Sequence, residues 1–216
     1  MLKTFNFCNN FKPLFNNLRT EKRFIGTKIM SKKRALILLA SGAEEMEFVT
    51  AADILVRGGV DVVVAGVGGK ELVKCSRGVK IQPEISISEA CRCLNFDAVI
   101  LPGGLEGSRA LAQSAEVGKL LKEFECGKKI IAAICAAPTA LQAHKIGFGS
   151  AITSYPSVKN DLIKDYNYKE CNVVVDCNII TSRGPATAIE FALALVEMLV
   201  SAEKACQISK DLLYTT

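Results

Sequence analysis

Residues 34–67 read RALILLASGAEEMEFVTAADILVRGGVDVVVAGV. Behind Arg34 the chain runs to Ala40 without a polar residue, the pattern of a strand covered on both faces. Ser41-Gly42-Ala43 turns the chain, and Glu44–Val56 has helical periodicity. Phe48, Ala52 and Leu55 form its apolar stripe, while Glu44, Glu45 and Glu47 lie at the end where a helix dipole favours acids. Gly58-Gly59 closes the helix and Val60–Val67 is a second β-rich run. Strand, helix and strand in this span make a βαβ unit, so the two strands are expected to be parallel.

The same alternation continues outward. Val79–Ile81 is a weaker strand candidate and Ser88–Leu94 a short helix. Asp97–Leu101 is a buried strand that stops at Pro102-Gly103-Gly104. One or two helices cover Ser108–Glu125, closed by Gly127. Lys129–Ile134 is the next strand, with Cys135-Ala136-Ala137-Pro138 at its end and a helix over Thr139–His144. Ala151–Ser154, Asn172–Asp176 and Ile179–Ser182 are further strand candidates, and Ala188–Val200 and Ala202–Leu213 are the last helices. There is no internal repeat and no second core. Residues 31–216 therefore read as one doubly wound α/β domain, a mostly parallel sheet with helices on both faces.

Composition narrows the function. Of the 216 residues, 50% are hydrophobic, mean hydropathy is +0.26, and no apolar stretch has the length of a membrane span. The net charge of +5 is unevenly placed: residues 1–34 hold nine of 27 basic residues and one of 22 acids, leaving the rest at 18 against 21, or −3. The body thus lacks the basic face of a nucleic-acid binder. Residues 1–30 form an amphipathic, acid-poor leader with Phe7, Phe11, Phe15 and Leu18 spaced by four, four and three. That is the composition of a mitochondrial targeting segment. The alternatives are an unstructured extension or a start at Met30. Mitochondria are the expected compartment if the leader acts, otherwise the cytoplasm and also the nucleus.

Nine cysteines and one histidine, His144, show no zinc-type spacing, so no metal and no cofactor are expected and the thiols should be free. In an open parallel sheet, ligands bind beyond the carboxyl ends of the strands. Five loops leave such ends: Ser41–Glu47, Pro102–Gly107, Cys135–Pro138, Tyr155-Pro156 and Ser182–Pro185. The PGG after Leu101 brings main-chain N–H groups close to the crevice. Glu47 lies one turn into its helix, on the side of the rim. Cys135 stands between a strand and a helix, where the dipole is expected to lower a thiol pKa. The setting has the logic of a nucleophile elbow, although GxSxG itself is absent. The ordinary alternative, a buried small hydrophobe, is assigned to Cys91, Cys93, Cys126, Cys171, Cys177 and Cys206.

Six ordered motifs carry a resemblance: GAEEMEF (42–48), VKCSRGV (73–79), LPGG (101–104), AAICAAPTAL (132–141), IGFGS (146–150) and TSRGPATAIEFALALVE (181–197). From about Ser31 to Leu213 the chain resembles the ThiJ/PfpI family of the class I glutamine-amidotransferase-like superfamily. The resemblance implies a flavodoxin-like sandwich, a homodimer, and a cysteine-dependent deglycase or glyoxalase acting on small dicarbonyls or glycated amines and thiols. It makes Cys135 the nucleophile and redox-sensitive thiol, and Glu47 a protonated partner of the sulfur. Gly104 and Ala136 supply main-chain N–H donors, and Arg57 and Arg77 lie near the dimer seam and pocket mouth. Pro185 follows in the matching RGP segment, and Cys75 is a second modification candidate, for oxidation or lipidation. Two departures stand out. Many relatives have histidine where this chain has Tyr155, and Gln82 replaces a cysteine found in some. His144 is expected to pack, so no Cys-His dyad is assigned.

Two functions compete on these residues. One is hydrolytic protection against dicarbonyl stress through Cys135. The other is a non-enzymatic redox sensor or chaperone in which Cys135 oxidises to a sulfinate and alters partner binding. A cysteine protease or amidotransferase ranks below both, because no histidine and no partner domain accompany the thiol. No GxGxxG fingerprint supports dinucleotide binding.

Overall fold

Alternation along each strand decides which helices its side chains meet. The computed structural model describes residues 32–93 and 95–214, so the expected leader lies outside the described residues. In β1, Arg34–Leu39, residues Ala35, Ile37 and Leu39 enter one buried cluster, and Leu36 and Leu38 enter the other. This is the period of two of a pleated strand, and covering both faces is what removes polar residues from Ala35–Leu39. The split recurs in β4, Ala98–Leu101, and in β5, Ile130–Ile134. There Ala98, Ile100, Ala132 and Ile134 face one side, and Val99, Leu101, Ile131 and Ala133 the other.

The first face is covered by α1 (Glu45–Arg57), α6 (Ala188–Leu199) and α7 (Ala202–Asp211), with Phe191 fully buried among them. The second is covered by α2 (Ile87–Arg92), α3 (Leu105–Gln113), α4 (Ala115–Cys126) and α5 (Pro138–Ala143), around a fully buried Phe124. Ser86 caps α2 reciprocally with Glu89, and the Ser114 hydroxyl accepts from Val117 N–H at the start of α4. No helix among the described residues is long and apolar enough to cross a membrane.

The remaining strands are β2 (Asp61–Gly66), β3 (Ile85–Ser86), β6 (Val173–Asp176) and β7 (Ile179–Ser182). Their order across the sheet is β6-β7-β5-β4-β1-β2-β3. All neighbours are parallel except β6 and β7, an antiparallel hairpin at the edge. The fold is thus a mostly parallel, flavodoxin-like α/β sandwich, as the alternation leads one to expect. Leu101 lies beside Ala133, and Ile134 beside Ser182, so the loops leaving β4, β5 and β7 emerge on one rim.

Two local expectations are corrected. Ala151–Ile152 does not join the main sheet; it forms a two-residue parallel ribbon with Asn167–Tyr168. The candidate at Val79–Ile81 is likewise a small ribbon, Lys80–Ile81 antiparallel to Val73–Lys74. Both are too short to bury a strand face, which is why neither shows a clear alternation.

Candidate active site

The rim loops are laced to one another through Gly103. Glu44 N–H donates to the Gly103 carbonyl (3.1 Å), and Gly103 N–H donates to Glu47 Oε2 (2.7 Å). A Cβ on Gly103 would stand 2.6 Å from Cys135 Cβ, 2.7 Å from Glu47 Oε2 and 2.9 Å from the Ile134 carbonyl. Only a residue without a side chain lets these three groups approach. Cys135 itself has φ +65°. Its N–H donates to Ser182 O (2.9 Å) and its carbonyl accepts from Tyr155 N–H (2.8 Å), so β7 and the loop ahead of Pro156 hold the turn on both sides. The main-chain N–H groups of Gly104 and Ala136 act on the sulfur, and the Glu47 carboxyl lies against it.

Glu47 is 1% exposed, and its carboxyl is pushed up to about 7. Burial is the main cause; the Gly103 N–H and the Cys135 thiol pull the other way, and the charge of Glu44 adds to the rise. Its second oxygen, Oε1, is buried without a hydrogen-bond partner. The structure overturns the expectation that a helix dipole lowers the Cys135 thiol. Burial and the neighbouring Glu47 carboxylate push it up to about 12, against the N–H groups of Gly104 and Ala136. The helix behind the cysteine begins only at Pro138 and has six residues. A thiolate here needs the proton on Glu47: a neutral carboxyl removes the repulsion and donates to sulfur instead.

This arrangement has a consequence for stability. Between pH 4.5 and about 7 the unfolded chain releases the Glu47 proton while the folded chain keeps it, so stability falls as pH rises through that window. Glutamine has no proton to lose. Glu47→Gln is therefore expected to match wild type below pH 4.5 and to exceed it by up to about 3 kcal/mol above pH 7. Urea unfolding at pH 4 and pH 8 measures this, and a difference that does not change with pH contradicts it.

The other expected site residues fall in different places. Tyr155 stands on the rim next to Cys135. Pro185 opens a short 3-10 turn, Pro185–Thr187, at the end of β7, one residue beyond Gly184. Arg57 lies away from the Cys135 cradle of its own chain. It pairs with Asp53 (2.6 Å) in the exposed last turn of α1, and ten residues of helix put it about 15 Å along the axis from Glu47. The Arg77 side chain is exposed. Its main-chain N–H donates to Glu45 Oε1 (2.9 Å), outside the Cys135 cradle. Cys75 is 3% exposed, and burial, then Glu45 and Glu44, push its thiol up; it is not an accessible modification site in this fold. His144 packs as expected, with Nε2 2.9 Å from the Leu111 carbonyl at the far end of α5.

Two sets of residues escape the sequence reading. Ser76 Oγ lies 2.7 Å from Glu44 Oε2 and 2.9 Å from Glu45 Oε2, and the Arg77 and Val79 N–H groups also donate to Glu45. Desolvation works against the Glu45 charge, but the Glu45, Arg77 and Val79 N–H groups and the Ser76 hydroxyl hold its carboxyl below the usual range. These acids thus clamp the 73–81 ribbon to α1 as well as facing the dipole. Across the rim, Tyr168 Oη accepts from Ser154 N–H (3.3 Å), donates to Ser154 O (3.1 Å), and fixes the loop that carries Tyr155. The signal for the first set was the CSRG turn; nothing local marks the second.

Several known proteins are similar to this chain. Protein dj-1beta of Drosophila melanogaster is 52% identical over 84% of this chain and 97% of its own length. The Parkinson disease protein 7 homolog of Danio rerio is 49% identical over 85% and 98%. The glutathione-independent glyoxalase DJR-1.2 of Caenorhabditis elegans is 41% identical over 84% and 97%. The crystal structure of Drosophila DJ-1beta superposes with a TM-score of 0.84 at 51% identity, covering 86% of this chain and all of that one. That of oxidized Toxoplasma gondii DJ-1 gives 0.78 at 37% identity, covering 85% and 100%. The family model matches residues 33–198 and so contains every rim loop from Gly42 to Pro185. By sequence, fold and the residues around Cys135, the chain belongs to the DJ-1/PfpI family.

Proposed function

We propose that the chain is a Cys135-dependent enzyme that converts 2-oxoaldehydes, free or as adducts of amines and thiols, into 2-hydroxy acids. The observation that carries this reading is a half-buried thiol set between two main-chain N–H donors and a carboxyl that titrates near pH 7. The 41% identical relative named as a glyoxalase supports it. The Cys135 thiolate adds to the aldehyde carbon, the new oxyanion lies toward the Gly104 and Ala136 N–H groups, and Glu47 gives it the carboxyl proton, which leaves a hemithioacetal beside a Glu47 carboxylate. Glu47, as carboxylate, removes the proton from that carbon and returns it to the neighbouring one, which leaves a thioester. Water hydrolyses the thioester, freeing the hydroxy acid and the thiol. The net change is addition of one water; from a hemiaminal adduct the amine leaves as a second product. No histidine takes part, since Tyr155 occupies the rim and is a poor base near neutral pH.

A second reading uses the same geometry. Two equivalents of peroxide would take the Cys135 thiol to the sulfinate with release of two waters, and the protonated Glu47 carboxyl would donate to a sulfinate oxygen. The relative solved in an oxidized state favours this reading as a companion. One experiment separates the two: lactate formation from methylglyoxal by the full chain, with intact-mass analysis of the same sample after mild peroxide. Lactate formation supports the enzyme; its absence, with two oxygens gained on Cys135 alone, leaves the sensor.

We further propose a homodimer. Met46, Val49 and Val56 are exposed on one face of α1, an apolar stripe suited to cover by a second copy. Sedimentation equilibrium tests it. A mitochondrial pool directed by residues 1–30 is proposed from their composition alone, and import of a fluorescent fusion into isolated mitochondria tests it.

A further inference from the structure

We infer that Tyr155 forms an aromatic wall beside the Cys135 sulfur and selects 2-oxoaldehydes with an aryl group over methylglyoxal. The inference rests on the enzymatic reading above and assigns its substrate class. Tyr155 begins at the nucleophile, because its N–H bonds the Cys135 carbonyl at 2.8 Å. Its ring runs across to the neighbouring rim loop. Ring carbons Cδ2 and Cε2 lie 3.4 and 3.8 Å from where a Cβ on Gly184 would stand. Gly184 is two residues beyond Ser182, whose carbonyl takes the Cys135 N–H.

The ring thus lies against the backbone at Gly184, and 46% of the residue remains exposed. From the loop after β4, Gly104 presents its N–H to the sulfur and is followed by Leu105, which is 58% exposed. A substrate whose aldehyde carbon reaches the sulfur carries its second substituent out between these two side chains. Arg183, the nearest cation in the chain to Gly184, has its N–H on the Asn172 carbonyl and its charge in reach of Glu170. Tyr155 and Leu105 therefore offer aromatic and apolar contact to that substituent. A methyl group fills little of that space, whereas a phenyl ring stacks on Tyr155.

The test compares kcat/KM for phenylglyoxal and methylglyoxal in full-length wild type, Tyr155→Ala and Tyr155→Phe. Rates of Cys135 alkylation by iodoacetamide and N-phenyliodoacetamide, read by peptide mass, accompany them. The phenyl-to-methyl ratio is expected to fall about tenfold in Tyr155→Ala, mainly through KM, and to stay within about twofold of wild type in Tyr155→Phe. The alkylation ratio should fall in parallel. Ratios unchanged in Tyr155→Ala overturn the wall, as does an equal loss in Tyr155→Phe, which would assign the effect to the hydroxyl. If wild type turns over neither aldehyde but the alkylation ratio still falls in Tyr155→Ala, the wall stands and the enzymatic reading fails.

Discussion

Cys135→Ser is expected to lower kcat/KM for methylglyoxal by about a thousandfold or more while leaving the fold in place. Serine differs from cysteine by one atom, so packing beside Gly103 and Ile134 is kept. The chemistry is not. A hydroxyl needs a strong base to become a nucleophile, and Glu47, titrating at about 7, is far too weak for that task. A thiol ionises far more readily than a hydroxyl; burial opposes its anion, but a protonated Glu47 removes the repulsion and the Gly104 and Ala136 N–H groups favour the charge. Initial rates on extensively purified protein, with circular dichroism to establish folding, make the comparison. Retention of a tenth of wild-type turnover would remove Cys135 from the reaction.

Gly103→Ala carries the largest expected cost in stability, about 3 kcal/mol or more. The added methyl would lie at 2.6 to 2.9 Å from Cys135 Cβ, Glu47 Oε2 and the Ile134 carbonyl, and two of these are fixed by main chain. Relief requires β4 and β5 to separate at the rim, which breaks the Gly103 N–H bond to Glu47 and leaves a buried carboxylate oxygen unpaired. Activity should therefore fall with stability. Gly68→Ala is the control: nothing lies within 4 Å of its Cβ, so the change should stay within about 0.5 kcal/mol. Equal urea midpoints for the two variants would contradict the close approach at Gly103.

The fold was legible wherever a strand is covered on both faces. ALILL, AVIL and IIAAI announce themselves because every residue enters one of the two buried clusters or packs against it. Ile85–Ser86 and the ribbon at Ala151–Ile152 carry two residues each, too few for a period to appear. The direction of β6 could not be read either, since an edge strand pairs on one side only and its sequence is equally apolar either way. Within the site, Cys135 and Glu47 were legible from position alone, at the ends of a strand and the start of a helix. The thiol's protonation was not, because it depends on a carboxyl 88 positions away in the chain.

The backbone at Cys135 points to a trade made in the chain itself. A φ of +65° suits glycine and costs an L-residue roughly 1 kcal/mol or more. A sequence chosen for folding alone would therefore place glycine at the end of β5. Five described residues other than glycine have positive φ, and the other four, Lys128, Lys145, Cys177 and Leu213, lie in turns or at chain ends away from the rim. At position 135 the same conformation delivers a reactive atom to the junction of three loops. Directed evolution for thermal tolerance alone should for that reason drift toward Cys135→Gly, gaining resistance to unfolding as it loses its nucleophile.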